Sequence, residues 1–436
     1  TRPGWQEKDL LQYVPDVMMV DADPRSEIVS DYMTGLGRKG EYLDPSRVPW
    51  EAWQDTMIFW VSLLSLSFVA GICMVLIVHR QWSKREHLSY PIAIFTEELL
   101  RPDPKRTYNP IFRDRVFWGG FAVSFFILLL NGAHTWNDAW LSVPTSLNLT
   151  EVSKLEFFQK TLMKVPSVKG EYGMFNPHIF FGAVGLAYFL SAEASFSLGI
   201  SGLLFAVAAL PFVERGVNLS GGMLQGGPQS YMWFGSYLGM ALVVGYLGRR
   251  FYLAVFRKAF FIPGGGRAET LPREVWAARL LILLGVALTI LLIWVGLHWL
   301  LAILFVMISG MMFLMIARVH VATGLFMIQP SWWPVSILLA LFGSYAIGPE
   351  AAAILALLST AVAFDTRIAA VPLVANVLKV GDDSKAKPAP MAGWMGVAIV
   401  ISLVVALCFT VWLMYDRGVQ GTWSGGTKWA TQVANM

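Results

Sequence analysis

Charge is scarce in this chain. Lys, Arg, Asp and Glu together supply 14% of its 436 residues, where a soluble globular domain carries about 25%. Hydrophobic residues reach 56% and the mean hydropathy is +0.56, which excludes a water-soluble fold. Cysteine is almost absent: Cys73 and Cys408 each lie inside an apolar run, so neither a disulfide framework nor a cysteine-based metal site is available. Period-two alternation is missing from the apolar runs, which argues against a membrane β-barrel. His134, His178 and His298 stand alone and no HExxH is present, so a zinc hydrolase is not expected. The glycine-rich run Gly221 to Pro228 lacks the Lys-Ser/Thr ending of a phosphate loop, and no nucleophile elbow occurs. The basic residues are spread among loops rather than gathered in a patch, which leaves no nucleic-acid footprint.

What the chain does have is a series of apolar runs on the scale of a bilayer core, which is roughly 30 Å thick and takes about 20 helical residues to cross. They predict an all-α, polytopic membrane bundle with membrane segments near 57–78, 116–131, 179–191, 194–212, 231–247, 278–297, 300–316, 335–347, 351–364 and 393–413. The 18 Trp and 28 Phe suit lipid-facing and interfacial positions. Residues 1–56 read as a polar segment outside the membrane, punctuated by Pro3, Pro15, Pro24, Pro45 and Pro49, and 414–436 as a polar tail. Alternating the ten segments puts loops 79–115, 249–279, 317–323 and 365–390 on one side, with 20 of the 33 Lys and Arg. That side is expected to be cytoplasmic and both ends exoplasmic, in a plasma membrane of the bacterial inner type. The first residue is Thr and no signal peptide precedes the first span. Earlier segments, and later ones, are therefore expected in the intact protein.

The stretch of greatest interest is Pro177 to Phe212. It is 36 residues long, too long for one span and enough for two short ones, and apart from His178 its only ionisable side chain is Glu193. Ser191 to Ser195 is then either a tight turn between spans or a break inside the membrane. On a helix, Glu193, Ser197 and Ser201 form one polar stripe, while Ser195, Gly199 and Gly202 form an opposite face of small residues suited to close packing. A carboxylate at mid-membrane is costly, so Glu193 is expected to titrate during transport or to meet a cationic substrate group. The alternative is a helix-turn residue that reaches water or caps a helix start.

Arg318 and His320 follow the seventh segment and would face a vestibule for anionic groups, or else serve as interfacial anchors. Glu350 follows Pro349 at a helix start, where a carboxylate complements the dipole. Asp365 and Arg367 read as a solvated pair. A lipid-directed membrane enzyme would need a His, Asp or Arg cluster at one face, and Arg318 with His320 is only a beginning. The chain is read as a non-enzyme without metal or cofactor.

The segment from Arg80 to Pro91, with Glu86, Leu88, Tyr90 and Pro91, resembles the membrane-exit element Glu-x-Leu-x-Tyr/Phe-Pro of oligopeptide-transporter-like proteins. Ser195 to Leu198, Ala317-Arg318-Val319 with Gly324 downstream, the pattern around 335–381, and Pro49-Trp50 with Trp53 are similar to an uncharacterised bacterial branch of that superfamily. The resemblance implies secondary transport of peptides or metal-chelate complexes, usually driven by protons. Read from the residues themselves, Glu193, Ser195, Ser197, Ser201, Arg318, His320 and Glu350 are expected along the substrate or proton path. Its rival is a non-transporting subunit that packs against other membrane subunits or further copies of itself within the lipid bilayer.

Overall fold

The computed structural model describes residues 10–419 apart from 22, 24–25, 38–40, 101–108, 161–167, 169–174, 218, 220, 263–269, 326–327 and 364–368. Asp365 and Arg367 lie outside the described residues. Among those described, the regular structure is helical, with two isolated β-bridges, Ser146 to His178 and Gly222 to Gly226. The fold is therefore all-α, as expected. Among the described residues, seven helices are long and apolar enough to cross a membrane, or eight if the bent pair Pro228–Leu247 and Arg249–Ala259 counts as one span. The chain is a polytopic integral membrane protein.

After a short helix α1 (Glu27–Thr34), the central rod is α2 (Trp50–Arg80). Its 31 residues extend about 46 Å at 1.5 Å per residue, more than a bilayer core. A short helix α3 (Pro91–Leu100) follows, then the spans α4 (Arg115–Trp136) and, past the short α5 (Phe181–Ala187), α6 (Ala192–Glu214). α7 (Pro228–Leu247) turns by 79° at Gly248 into α8 (Arg249–Ala259). α9 (Pro272–Trp294) and α10 (Trp299–Thr323) are full-length spans. They are followed by α11 (Pro334–Phe342), α12 (Ser344–Ala363), α13 (Ala370–Asp383) and α14 (Pro388–Arg417). Proline opens α7, α9, α11 and α14 at N1 or N2, where its missing N–H has no intrahelical partner to lose.

α2 packs against α9, α10, α13 and α14. Lipid is as apolar as a side chain, so close packing rather than water exclusion holds such helices together. Gly71 shows the requirement: a Cβ there would stand 2.6 Å from Val371 Cγ2. The largest core joins Phe59 and Leu63 of α2 to Leu292, Phe305, Met312, Trp332, Trp333, Ile354 and Leu358.

Two helices inside the bundle are half-length. α11 has 9 residues, about 14 Å, and α13 has 14, about 21 Å, both short of the roughly 30 Å core. α12 is interrupted at Gly348, which has φ +78 and ψ 165, so the break foreseen at Gly348-Pro349 is present and is joined by a second at Gly343. The start of α11 is buried in protein. Val335 N donates to Ser359 Oγ at 3.1 Å, Trp333 N donates to the Met223 carbonyl at 3.0 Å, and Ser336 N donates to the Trp333 carbonyl at 3.1 Å. Each of these amides is satisfied without water, which a helix end within a membrane requires.

The N-terminal segment closes one end of the bundle. Thr56 Oγ1 donates to the Met19 carbonyl at 2.9 Å, Leu43 N to Asp416 Oδ1 at 2.7 Å, and Leu36 N to the Tyr415 carbonyl at 2.7 Å. The start of α2 and the end of α14 therefore lie at the same end. α4 stands apart, with none of its apolar window buried, and α6 has 11% buried.

Candidate functional site

At the opposite end, α2 does not stop at Arg80 but continues through a π-helical turn, Gln81–Arg85. Such turns widen the backbone and gather at functional sites. The chain then reverses over Glu86 to Tyr90, with His87 at φ +49 and Tyr90 at φ +46. Neither residue is glycine, so the turn stores backbone strain that surrounding contacts must hold. Those contacts come from the end of α10. Tyr90 N donates to the Val321 carbonyl at 2.9 Å and Ser89 Oγ to the Ala322 carbonyl at 2.8 Å. Gly324 caps α10 in the left-handed region at φ +71, and a Cβ there would meet Pro91 Cβ at 3.0 Å. Glycine is needed both for the angle and for the approach.

Inside this turn lies an ion pair, Arg318 Nη2 to Glu86 Oε2 at 2.6 Å, with the two side chains 14% and 15% exposed. Gln81 Nε2 donates to Glu86 Oε1 at 3.0 Å, and the Arg318 guanidinium lies 5.2 Å from the Trp82 ring centre. Trp82 and Tyr90 are fully buried, and burial pushes the Tyr90 phenol well above its ordinary value. The Tyr90 hydroxyl and Arg318 Nη1 have no hydrogen-bond partner.

Two further polar contacts border the pair. His79 Nε2 lies 3.2 Å from Asp382 Oδ2 and Lys84 Nζ 3.8 Å from the same oxygen. The hydrogen bond from His79 is the main reason the Asp382 carboxyl sits below its ordinary value, against the opposing effect of burial. An ionised carboxylate only accepts, so Nε2 carries the imidazole proton. Glu274, fully buried, accepts from Leu271 N at 2.8 Å and faces Arg80 Nη1 at 3.8 Å. The ends of α2, α9, α10 and α13 thus meet at one end, where the chain's basic loops begin.

The profile of a family of unknown function, DUF6785, matches residues 2–436. The chain belongs to that family. No curated protein and no solved structure matches it. The family assignment carries no activity, so in this DUF6785 protein the chemistry rests on the site itself.

The residues singled out in the sequence divide into two groups. Glu86, Tyr90, Pro91 and Arg318 are brought together, and Leu88 packs against the same cluster. His320 is buried two residues further along α10, its Nε2 without a partner. Glu193 is elsewhere and is not enclosed. It is exposed in the first turn of α6, whose N-cap Ser191 accepts from Ala194 N at 3.2 Å. The carboxylate thus sits where the helix dipole favours it. Ser195, Ser197 and Ser201 are exposed as well, Ser201 Oγ donating to the Leu198 carbonyl at 2.8 Å. Leu190, just ahead of that turn, reaches Gly324. Glu350 is exposed beside Gly296 at the other end of the bundle.

Nothing in the sequence marks Tyr252, His79 or Asp382 as site residues. Tyr252 and Asp382 belong to α8 and α13, which lie in stretches 249–279 and 365–390 that the sequence marks as loops. Among the described residues no group of three or more His, Cys, Asp or Glu could hold a metal ion.

Proposed function

We propose that this DUF6785 protein is a secondary-carrier-like membrane protein that moves small solutes of the peptide or metal-chelate type in a proton-coupled step. The observation that carries the reading is the pair of half-length helices, α11 and α13, inside the bundle. Helices broken within a membrane protein expose backbone groups to a ligand and let one part rock against another. The resemblance of Glu86 to Pro91 to the oligopeptide-transporter element supports it. So does the strained turn that these residues form against Arg318. In this reading the Glu86 end is cytoplasmic, following its basic loops, and the packed N-terminal segment and the end of α14 are exoplasmic. The protein is not an enzyme. Purified protein in liposomes, given an inward proton gradient, should accumulate di- or tripeptides or metal chelates above protein-free vesicles, and a protonophore should collapse the signal. Monodisperse protein that accumulates none of them would end this reading.

A second reading is a non-transporting subunit of a larger membrane assembly. It is favoured by α4, whose apolar window is wholly unburied, and by α6, with 11% buried. Co-purification with another membrane protein at fixed stoichiometry, together with no uptake, would support it.

A further inference from the structure

The surroundings of Arg318 have more donors than acceptors. Its Nη1 has no partner, nor has the Tyr90 hydroxyl. The Tyr252 hydroxyl lies beside the Trp82 indole nitrogen, and neither atom makes a hydrogen bond of acceptable geometry. Even a contact between those two would leave the Tyr252 proton without an acceptor. Both phenols are within electrostatic reach of Glu86 and Arg318, and the Arg318 guanidinium lies 5.2 Å from the Trp82 ring centre. Trp82 and Tyr90 are fully buried, and a buried donor left unmade costs the full loss of its hydration. Glu86 answers only part of the need: Oε1 takes Gln81, while Oε2 stands 2.6 Å from Arg318 Nη2 as an ion pair without a hydrogen bond of acceptable geometry.

We propose that Arg318, Tyr90, Tyr252 and Trp82 form a binding site for the carboxylate of a small solute, with Glu86 occupying it as an internal stand-in until the solute arrives. This rests on the carrier reading and names the group its solute presents. A carboxylate brings several lone-pair sites and no donor, and it meets a guanidinium in two parallel hydrogen bonds, using the Nη1 that Glu86 leaves unused. Two carboxylates cannot share one guanidinium without repulsion. The incoming group therefore displaces Glu86, which keeps Gln81 as its partner. The turn that Glu86 holds in left-handed backbone at His87 and Tyr90 is then free to relax. Binding and opening of this end become one event.

The test is calorimetric titration of the intact detergent-solubilised protein with trialanine, trialanine C-terminal amide and acetate. Trialanine should bind and the amide should bind at least about tenfold more weakly, the loss of one strong charge-assisted interaction. Binding of acetate as tight as trialanine would assign the site to the free carboxylate rather than to a peptide end. Arg318→Gln should weaken trialanine by about tenfold or more, and Tyr90→Phe, which keeps the ring volume, by about threefold or more. Glu86→Gln should tighten it, because the competing charge is gone, an outcome that a purely structural ion pair would not produce. Equal binding of acid and amide, no binding of any probe (water alone filling the donors), or weaker binding in Glu86→Gln would each overturn the proposal. Uptake that ignores the carboxylate would leave the carrier reading standing and end this one. Carboxylate-dependent binding without uptake would do the reverse.

Discussion

Glu86 Oε2 and Arg318 Nη2 stand 2.6 Å apart, joining the turn that follows α2 to the last turns of α10. Both side chains are largely withdrawn from water, so the pair is a different object from a surface ion pair. Taking two charges out of water costs about as much as their attraction returns, whereas removing one partner strands the other. Glu86→Ala should therefore destabilise the detergent-solubilised protein by about 3 kcal/mol. Glu86→Leu with Arg318→Met should recover most of that loss. A double-mutant cycle from unfolding curves checks it, and additive single effects would contradict the coupling.

Gly324 provides the second prediction. At φ +71, with Pro91 Cβ 3.0 Å from where its own Cβ would stand, Gly324→Ala should cost about 1–2 kcal/mol from the left-handed angle, before any displacement of Pro91. Gly310 lies in the same helix at ordinary φ, with Met74 Sδ 3.8 Å from a Cβ position. Gly310→Ala should be neutral or stabilising, since alanine is the better helix former. Melting temperatures of the two variants in one detergent separate the effects.

Ser359 provides the third. Its hydroxyl is the acceptor for Val335 N, the first free amide of α11, and it is fully buried. Ser359→Ala should leave that amide unpaired at a cost of about 1–3 kcal/mol. Hydrogen exchange should rise locally at Val335 to Leu338 and not in α9. Unchanged protection there would mean that the start of α11 is held by something else.

The fourth concerns acid. Asp382 is held below its ordinary carboxylate value by the hydrogen bond from His79, with the charges of His79, Lys84 and Arg273 adding to it. A lowered folded value means that the contribution is present above the unfolded value, near 3.9, and is lost as pH falls through the lower folded value. Asp382→Asn should be less stable than the parent at neutral pH, and the gap should close only below about pH 4. A gap that persists at pH 2 would contradict the assignment.

Much of this architecture is legible in the sequence, and the reasons are physical. α2, α9, α10 and α14 announce themselves because a span must be apolar all round over bilayer length. The break at Gly348-Pro349 is legible because proline disfavours helical backbone at the residue before it and glycine readily takes the non-helical angle this leaves. α8 and α13 are not legible as helices. α8 carries Arg249, Arg250, Arg257 and Lys258 and reads as a basic loop. α13 is 14 residues long, lies between the charges at Asp365 and Asp383, and is buried because α2, α3, α10 and α14 cover it. Glu193 marks another limit: its spacing to Ser197 and Ser201 fixes which residues share a face but not whether anything covers that face. The Glu86–Arg318 pair has the opposite character, since each residue is visible as unusual and only the fold makes them partners.

The carrier reading rests on the half-length helices, and Trp333 to Ser336 opens the first of them, so in that reading this junction moves as solute passes. Ser336 is buried at the start of α11, so the direct measurement is its accessibility in the membrane. In a Cys73→Ala, Cys408→Ser background, Ser336→Cys should react with a membrane-impermeant maleimide from one side, at a rate that trialanine or a proton gradient changes. If Ser336→Cys stays unlabelled from both sides under every condition, while a control Asp138→Cys on the exposed loop reacts freely, the half-helices are a fixed scaffold and the carrier account is wrong.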